Sequence, residues 1–297
     1  MPKADCAVSP IGGKGKTMDF RPLYLEDRAW ITKCRDTQAH PFTALSFPSL
    51  YSWRNTYGFT VAGDADFFVI RSVSDGGYYC PCGDPEKCRT FLENLEAPAK
   101  VLYLTEQQAA ALEGRGWTAR HRDDLSEYIV STAAEALREG HISKSFRDKC
   151  RRFKNRYTYT VDSPGPEQKR IMRKMLATLR LDPEEEVMGD LRVLATEIED
   201  GDAMGMRSYV LQTEGEGNAL FIGYENRPDM FTMTMVKHDP TLPPEITAVC
   251  VHELALKLDG EYEYINLEED LGLEGLRRAK ALYSPVGRLE VYEASRE

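Results

Sequence analysis

The sequence lacks several features that identify common protein classes. Its 297 residues hold no apolar run close to the roughly 20 residues of a transmembrane helix, and no secretory signal at the start. There is no Gly-x-Ser-x-Gly nucleophile turn, and Leu256 stands where a metalloprotease helix would carry a second histidine after His252. We therefore expect neither such a serine hydrolase nor a zinc protease, but a cytoplasmic protein without a transmembrane segment.

The cysteine content is low for a disulfide-stabilised protein. The seven cysteines are an odd number, scattered over a chain large enough to bury a core without disulfides. Cys80, Cys82 and Cys88 fall within nine residues, but no fourth ligand at zinc-site spacing accompanies them. The pattern predicts reduced thiols and no bound metal.

Basic residues are outnumbered, with 38 Lys and Arg against 48 Asp and Glu, a net charge of −10. Such a surface argues against uniform binding to nucleic acid or anionic lipid. The exception is 138–156, where eight basic residues and two acidic ones give +6 locally and leave −16 for the rest. We therefore expect one localised site for a phosphate-bearing partner.

Apolar periodicity indicates a mixed α/β protein with two halves of comparable element content. The predicted strands are 67–73, 101–104, 127–131, 157–161, 207–213, 219–225, 230–237 and 262–266. The predicted helices are 85–95, 106–113, 133–139, 143–155, 167–180, 189–200, 244–258 and 274–282, with a further helix start at 182–186. This order predicts an α/β (α+β) fold on largely antiparallel sheets, and residues 1–17 are expected to form a disordered tail.

The helix at 143–155 combines a buried stripe with a cationic ridge. Phe146, Cys150 and Phe153 recur at helical spacing and should face the core. The cations beside this stripe are predicted to bind phosphates of a substrate: Arg147, Lys149, Arg151, Arg152 and Lys154. The alternative is a solvated face paired with the acidic remainder of the protein.

A second group of polar residues follows the strand at 262–266. Asn266, Glu268 and Asp270 alternate after the strand, and Arg277 and Lys280 share one side of the next helix. Strand ends beside helices are where α/β proteins commonly bind ligands. The alternative is that the acidic residues only stabilise the helix dipole.

This second group resembles the closing segment of the phosphatidylglycerol lysyltransferase C-terminal domain family, which is similar to I-N-x-E-x-D-L-G-x-x-G-L-R-x-A-K-x-x-Y-x-P. The matching residues are Ile265, Asn266, Glu268, Asp270, Leu271, Gly272, Gly275, Leu276, Arg277, Ala279, Lys280, Tyr283 and Pro285. In the first half, 47–58 with Trp53 and Tyr57 resembles the family's N-L-x-x-W-R-x-x-Y-G stretch. The likeness spans about residues 18 to 293.

The resemblance implies two tandem acyltransferase-like units of the GNAT type, which we place at 18–135 and 136–297. It implies transfer of an aminoacyl group from aminoacyl-tRNA, or of an acyl group, to an amine or hydroxyl of a peptide or of a lipid at a membrane surface, with no resident cofactor. Glu268, Asp270 and Lys280 are then the predicted catalytic residues: a carboxylate deprotonates the amine and a cation stabilises the oxyanion. Predicted substrate-binding residues besides the ridge are Asn266, Arg277 and Tyr283.

Two alternative functions remain open at this point. One is a CoA-dependent N-acetyltransferase that uses the first half. In the second half, 239–245 is rich in proline, which lacks the amide donors that would hold the CoA pyrophosphate. The other alternative is a non-catalytic module on the same fold that binds RNA or another anionic ligand.

Overall fold

The computed structural model describes residues 18–137, 140–163, 165–179, 189–215 and 217–297. The predicted tail at 1–17 and helix start at 182–186 lie outside these residues, as do Arg138 and Glu139 of the basic segment. The strands are β1 (Arg21–Pro22), β2 (Thr60–Asp64), β3 (Phe67–Ser72), β4 (Gly77–Tyr79), β5 (Cys82–Gly83), β6 (Ala99–Leu104), β7 (Thr118–His121), β8 (Glu127–Ser131), β9 (Tyr159–Asp162), β10 (Met206–Thr213), β11 (Asn218–Arg227), β12 (Met230–His238), β13 (Tyr264–Asn266), β14 (Gly287–Leu289) and β15 (Tyr292–Arg296).

The helices cover both sheets. They are α1 (Arg28–Thr37), α2 (Phe47–Tyr57), α3 (Pro85–Asn94), α4 (Glu106–Glu113), α5 (Thr132–Glu135), α6 (Lys144–Arg156), α7 (Pro166–Thr178), α8 (Asp190–Met204), α9 (Ile246–Leu258) and α10 (Glu274–Leu282). None of the helices in the described ranges is long and apolar enough to cross a bilayer.

The strands form two sheets. One hydrophobic core joins the first sheet to α7, α8 and one face of the second sheet, and the other core lies on the opposite face of the second sheet, with α6 and α9. The first sheet has the order β1-β2-β3-β4-β6-β15-β7, with β5 paired to β3, and the second has the order β14-β8-β13-β12-β11-β10-β9. Neighbouring strands are antiparallel except for β4 with β6 and β12 with β13. The predicted α/β class with largely antiparallel sheets is confirmed. We call the first sheet with its helices the first unit, and the second sheet with its helices the second unit.

The predicted boundary at 135/136 does not separate the two units. Strand β8 pairs with β13 and β14 in the second sheet, although it lies before the boundary. Strand β15, at the end of the chain, pairs with β6 and β7 in the first sheet. The sequence pattern predicts β6, β8 and β13 as strands, but not β7, β14 or β15, and it does not predict which strands pair.

Several predicted elements have the bounds found in the structure, namely 106–113, 127–131 and 274–282. Others are shifted at their ends: α6 continues to Arg156, so that β9 starts at Tyr159, and α9 starts at Ile246 after the prolines. The buried stripe of α6 is confirmed, because Phe146, Cys150 and Phe153 are at most 2% exposed. The six described cysteines are buried and free, as predicted.

Helices α1 and α2 were not predicted, although α2 carries clear end signals. Ser46 accepts a hydrogen bond from the amide of Ser49, Pro48 lies in the first turn, and Gly58 ends the helix with φ of 63°. Apolar side chains surround α2 because it packs against both units, so no single stripe identifies it.

Gly223 allows β11 to pass close to β12. A Cβ atom there would lie 2.2 Å from the carbonyl oxygen of Thr232 and 2.3 Å from the Phe231 ring. We expect Gly223→Ala to lower the free energy of unfolding by more than about 2 kcal/mol in urea denaturation, because backbone must move. Gly114→Ala is the control: its φ is −65° and no atom lies within 4 Å of the new Cβ. Equal free energies of unfolding for Gly223→Ala and Gly114→Ala would contradict the close approach of β11 to β12 at Gly223.

Candidate active site

A cavity of about 620 Å³ lies between the two units, where β12 and β13 separate. The two strands pair only between Met230–Thr232 and Tyr264–Asn266, and the chain then turns away while β12 continues. This divergence leaves residues 233–237 of β12 along the cavity wall. The remaining walls come from the first unit, from Asp190 on α8, from α9 and from 267–283.

The first unit contributes a continuous aromatic wall. Its members, Trp53, Tyr57, Phe59, Tyr79 and Tyr103, all line the cavity. Successive ring centroids lie 4.6 to 5.6 Å apart. Such faces pack against planar groups and attract cations.

The chain beyond β13 presents Glu268 to the cavity through a turn that is unfavourable for glutamate. Its φ is 61°, in the left-handed region that favours glycine. The Glu268 amide donates to Asn266 Oδ1 at 2.7 Å, and its carbonyl oxygen accepts from the Tyr128 amide at 3.1 Å. Backbone held in this region is a recurrent feature of functional sites.

Asp270 was predicted to be catalytic, and the structure argues against that role. Its carboxylate, with no exposed surface, accepts hydrogen bonds from Tyr128 Oη at 2.7 Å, Arg277 Nε at 2.8 Å and the Gly272 amide at 2.8 Å. Burial would raise the pKa of Asp270, but these bonds lower it to about 2. Asp270 is not among the residues lining the cavity. It fixes the loop before α10 instead.

Glu268, Glu269 and Lys280 lie together at the cavity wall. Burial raises the pKa of both carboxyl groups. The charge of Glu269 raises the pKa of Glu268 further, and the charge of Asp270 raises that of Glu269, while Lys280 lowers both. Burial lowers the pKa of Lys280, although the two carboxylates oppose that shift. Lys280 Nζ donates to the carbonyl oxygen of Leu267. Two acids with raised pKa values and one amine with a lowered pKa, together in a cavity, are suited to proton transfer.

The other predicted residues of this segment are divided between the cavity and its support. Tyr283 lines the cavity and is 6% exposed. Asn266 is fully buried behind the wall and holds the Glu268 turn. Arg277 binds Asp270 and Asp123 outside the cavity, so it stabilises the loop rather than contacting a ligand there.

The cationic ridge of α6 does not reach the cavity, because none of its residues belongs to the lining. Helix α9 provides Thr247 and Val251 to the cavity and His252 to the contact with α6. Lys154 points toward α9, with Nζ 2.9 Å from His252 Nε2 and 3.3 Å from Glu253. The role of the ridge in binding phosphates stays a prediction.

Within the ridge, Arg151 pairs with Asp148 at 2.9 Å and Arg152 with Glu245 at 3.3 Å. Among the described residues, no carboxylate lies within ion-pair distance of Arg147 or Lys149. These two cations are therefore the ones best placed to meet a phosphate.

The sequence analysis missed three groups at or behind the cavity. Glu269 stands between two selected residues, and strand alternation alone argued against it. Asp190 and Lys237 form an ion pair of 2.9 Å at the cavity wall and are each 8% exposed. Glu127 is 1% exposed and binds Asn266 and Thr43. The only available signal for Glu127 was a charge at the start of an apolar strand.

In the part of the chain that the structure describes, no three His, Cys, Asp or Glu side chains are grouped to hold a metal ion.

The sequence of the chain matches the model of a known protein family. The model of the family described as phosphatidylglycerol lysyltransferase, C-terminal, matches residues 38–295. No curated protein sequence matches the chain.

Solved structures that share the fold include the following three. A conserved protein of unknown function from Bacteroides thetaiotaomicron VPI-5482 is 25% identical, with a TM-score of 0.82 over 95% of this chain and 100% of that one. The C-terminal domain of a putative lysylphosphatidylglycerol synthetase from Agrobacterium fabrum is 13% identical, with a TM-score of 0.62 over 91% and 92%. L-PGS from Bacillus licheniformis is 16% identical, with a TM-score of 0.58 over 83% and 87%.

The left-handed turn at Glu268 has a measurable cost. Because φ is positive there, Glu268→Gly should be about 1 kcal/mol more stable to unfolding than Glu268→Ala. Glu269, whose φ is not positive, is the matched control: Glu269→Gly should be about 0.4 to 1 kcal/mol less stable than Glu269→Ala. Urea denaturation of the four variants measures both differences. If the difference in stability between the Gly and Ala variants has the same sign at both positions, the backbone at Glu268 is not strained.

Proposed function

Because the chain belongs to the phosphatidylglycerol lysyltransferase C-terminal family, which is of the acyltransferase type, we propose that it transfers an aminoacyl group from aminoacyl-tRNA to an amine or hydroxyl acceptor. The observation that carries this proposal is the cavity holding Glu268, Glu269 and Lys280. In the reaction, the acceptor nitrogen or oxygen attacks the ester carbonyl carbon, and the bond to the ribose oxygen of the tRNA then breaks.

The two carboxyl groups supply the base. Glu268 or Glu269 takes the proton that the acceptor loses as it attacks, and burial keeps their pKa above the ordinary value of 4.5. A base whose pKa lies nearer the working pH also returns its proton readily. The acidic wall, together with the aromatic wall, further suits the ammonium of an aminoacyl group.

Lys280 supplies the acid and the positive charge. Its ammonium sits beside the carboxyl groups and can stabilise the oxyanion that develops on the ester carbonyl. Because burial lowers its pKa, Lys280 also gives up a proton more readily than an exposed lysine. That proton would go to the departing ribose oxygen.

The turn before α9 favours aminoacyl-tRNA over CoA in the second unit. This turn follows β12 and contains three prolines, Pro240, Pro243 and Pro244, without amide donors. Glu245 stands at the N-terminus of α9 and pairs with Arg152. A carboxylate at that helix end opposes the binding of a pyrophosphate there.

Loss of the base or of the cation should slow transfer strongly. With tRNA charged with radiolabelled amino acids, we expect Glu268→Gln and Lys280→Ala to lower the rate of ester loss by about 10² to 10⁴. Arg278→Ala is the control, because Arg278 lies on the same helix but pairs with exposed Glu274. The raised pKa values keep the carboxyl groups protonated to a higher pH. The rate of transfer should therefore rise with pH in a range above 4.5, the ordinary pKa of a glutamate.

The alternatives give different results in the same assay. Salt-dependent tRNA binding without any loss of the ester would favour a non-catalytic module. A higher melting temperature with millimolar acetyl-CoA, and acetyl transfer in place of aminoacyl transfer, would favour the CoA-dependent enzyme. Arms with phosphatidylglycerol vesicles and with an amine-bearing peptide distinguish the acceptors.

Charge reversal on α6 tests the donor site. The double variant Arg147→Glu with Lys149→Glu should weaken tRNA binding about tenfold or more. It should also reduce the slope of log K against log salt concentration by roughly 0.7 to 0.9 for each phosphate contact that is lost. Arg170→Glu with Lys174→Glu on α7 makes the same change in net charge elsewhere. Filter binding over a salt series measures both variants. Equal weakening in both would mean that α6 is not a specific site.

A further inference from the structure

Glu127 occupies a buried position where both units meet. Its Oε1 accepts hydrogen bonds from the amide and the hydroxyl of Thr43, each at 2.8 Å, and its Oε2 accepts from Asn266 Nδ2 at 2.5 Å. All three partners are donors, as an ionised carboxylate requires. The side chain is 1% exposed and does not line the cavity.

On one side, Glu127 acts on Glu268 through Asn266. With Nδ2 directed at Glu127, the Asn266 amide must direct Oδ1 away from it, and that oxygen accepts from the Glu268 amide at 2.7 Å. The orientation of Asn266 therefore determines whether the left-handed turn at Glu268 keeps its hydrogen bond.

On the other side, Glu127 holds the first unit's wall. Thr43 and Ala44 line the cavity, and Thr43 starts the turn that leads into α2. Ser46, in the same turn, donates to the carbonyl oxygen of Thr43 at 2.7 Å and meets Tyr224 Oη of the second unit at 2.6 Å. The wall is thus fastened to the second sheet at both ends of this turn.

We infer that Glu127 is a positioning residue: its carboxylate, by orienting Asn266 and holding Thr43, keeps Glu268 in place in the cavity, and uptake of a proton by this carboxylate releases that arrangement. The inference rests on the proposed function for its effect on transfer, but not for its effect on the structure.

A proton on Glu127 Oε2 would face Asn266 Nδ2, which cannot accept, so Asn266 would have to reverse its amide and lose the bond to Glu268. A proton on Oε1 would face the Thr43 amide, and the Thr43 hydroxyl would have to change from donor to acceptor. Burial raises the pKa of Glu127 to about 7. The charged or titratable groups that face it are Glu268 and Glu269 beyond β13, Lys280 on α10 and Tyr224 on β11.

The structural arm of the test needs no activity. In ¹⁵N NMR spectra between pH 5.5 and 8.5, the side-chain amide of Asn266 and the backbone amide of Glu268 should titrate together with a midpoint near 7. In Glu127→Gln both signals should stay at their low-pH positions. Flat signals in the wild type, or an unchanged titration in Glu127→Gln, would overturn the inference.

The functional arm uses the aminoacyl-tRNA assay. Glu127→Gln should lower kcat by about 10- to 100-fold with little change in KM for the donor, because binding groups remain while the base is displaced. In an Asn266→Ala background, Glu127→Gln should cause no further decrease in kcat. Additive losses would contradict the shared route through Asn266.

The control is Glu135→Gln. Glu135 is also fully buried, with its pKa raised by burial to about 8, but it lies away from the cavity lining, and its carboxyl oxygens have no hydrogen-bond partner among the described residues. Its substitution should leave kcat unchanged. Signals that titrate in a wild type without transfer would reject the proposed function and keep the role of Glu127. Transfer together with signals that do not change with pH would reject the role of Glu127 and keep the proposed function.

Discussion

The buried carboxylate of Glu127 is the polar group that ties the two units together behind the cavity. A charge in a protein interior is costly unless donors surround it, so Glu127 fixes the positions of the groups that donate to it. Those groups come from both units: Thr43 from the first, and Asn266 from the second. They can meet at Glu127 only because β8, which carries it, joins the second sheet directly after the first unit's strands.

The cavity is built from groups that do not favour stability. Glu268 has a left-handed backbone, and it shares a poorly solvated wall with Glu269 and Lys280. The loop that carries these groups is fixed from outside by Asp270, which binds Tyr128 and the backbone of Gly272. A residue that resembles a catalytic acid in the sequence thus fixes the loop, whereas Glu268, Glu269 and Lys280 line the cavity.

Much of the fold and part of the site could be predicted from the sequence. Helix α6 was predicted from the spacing of Phe146, Cys150 and Phe153, because a helix buries every third or fourth residue. The segment after β13 was predicted to form a site because α/β proteins commonly bind ligands at polar strand ends beside a helix. Helix α2 was missed because it is buried on several sides, and Glu127 was missed because its partners are distant in sequence.

The sequence by itself determined local structure: the periodic helices and strands, the charge concentrated on α6, and the presence of Glu268, Lys280 and Tyr283 in one segment. These depend on residues within a few turns or strand positions of each other. Only the tertiary structure decided which strands pair across the units, that Asp270 and Arg277 bind each other outside the cavity, and that Glu127 stands behind Glu268. Those features depend on burial and on contacts between distant segments, and neither quantity exists until the chain has folded.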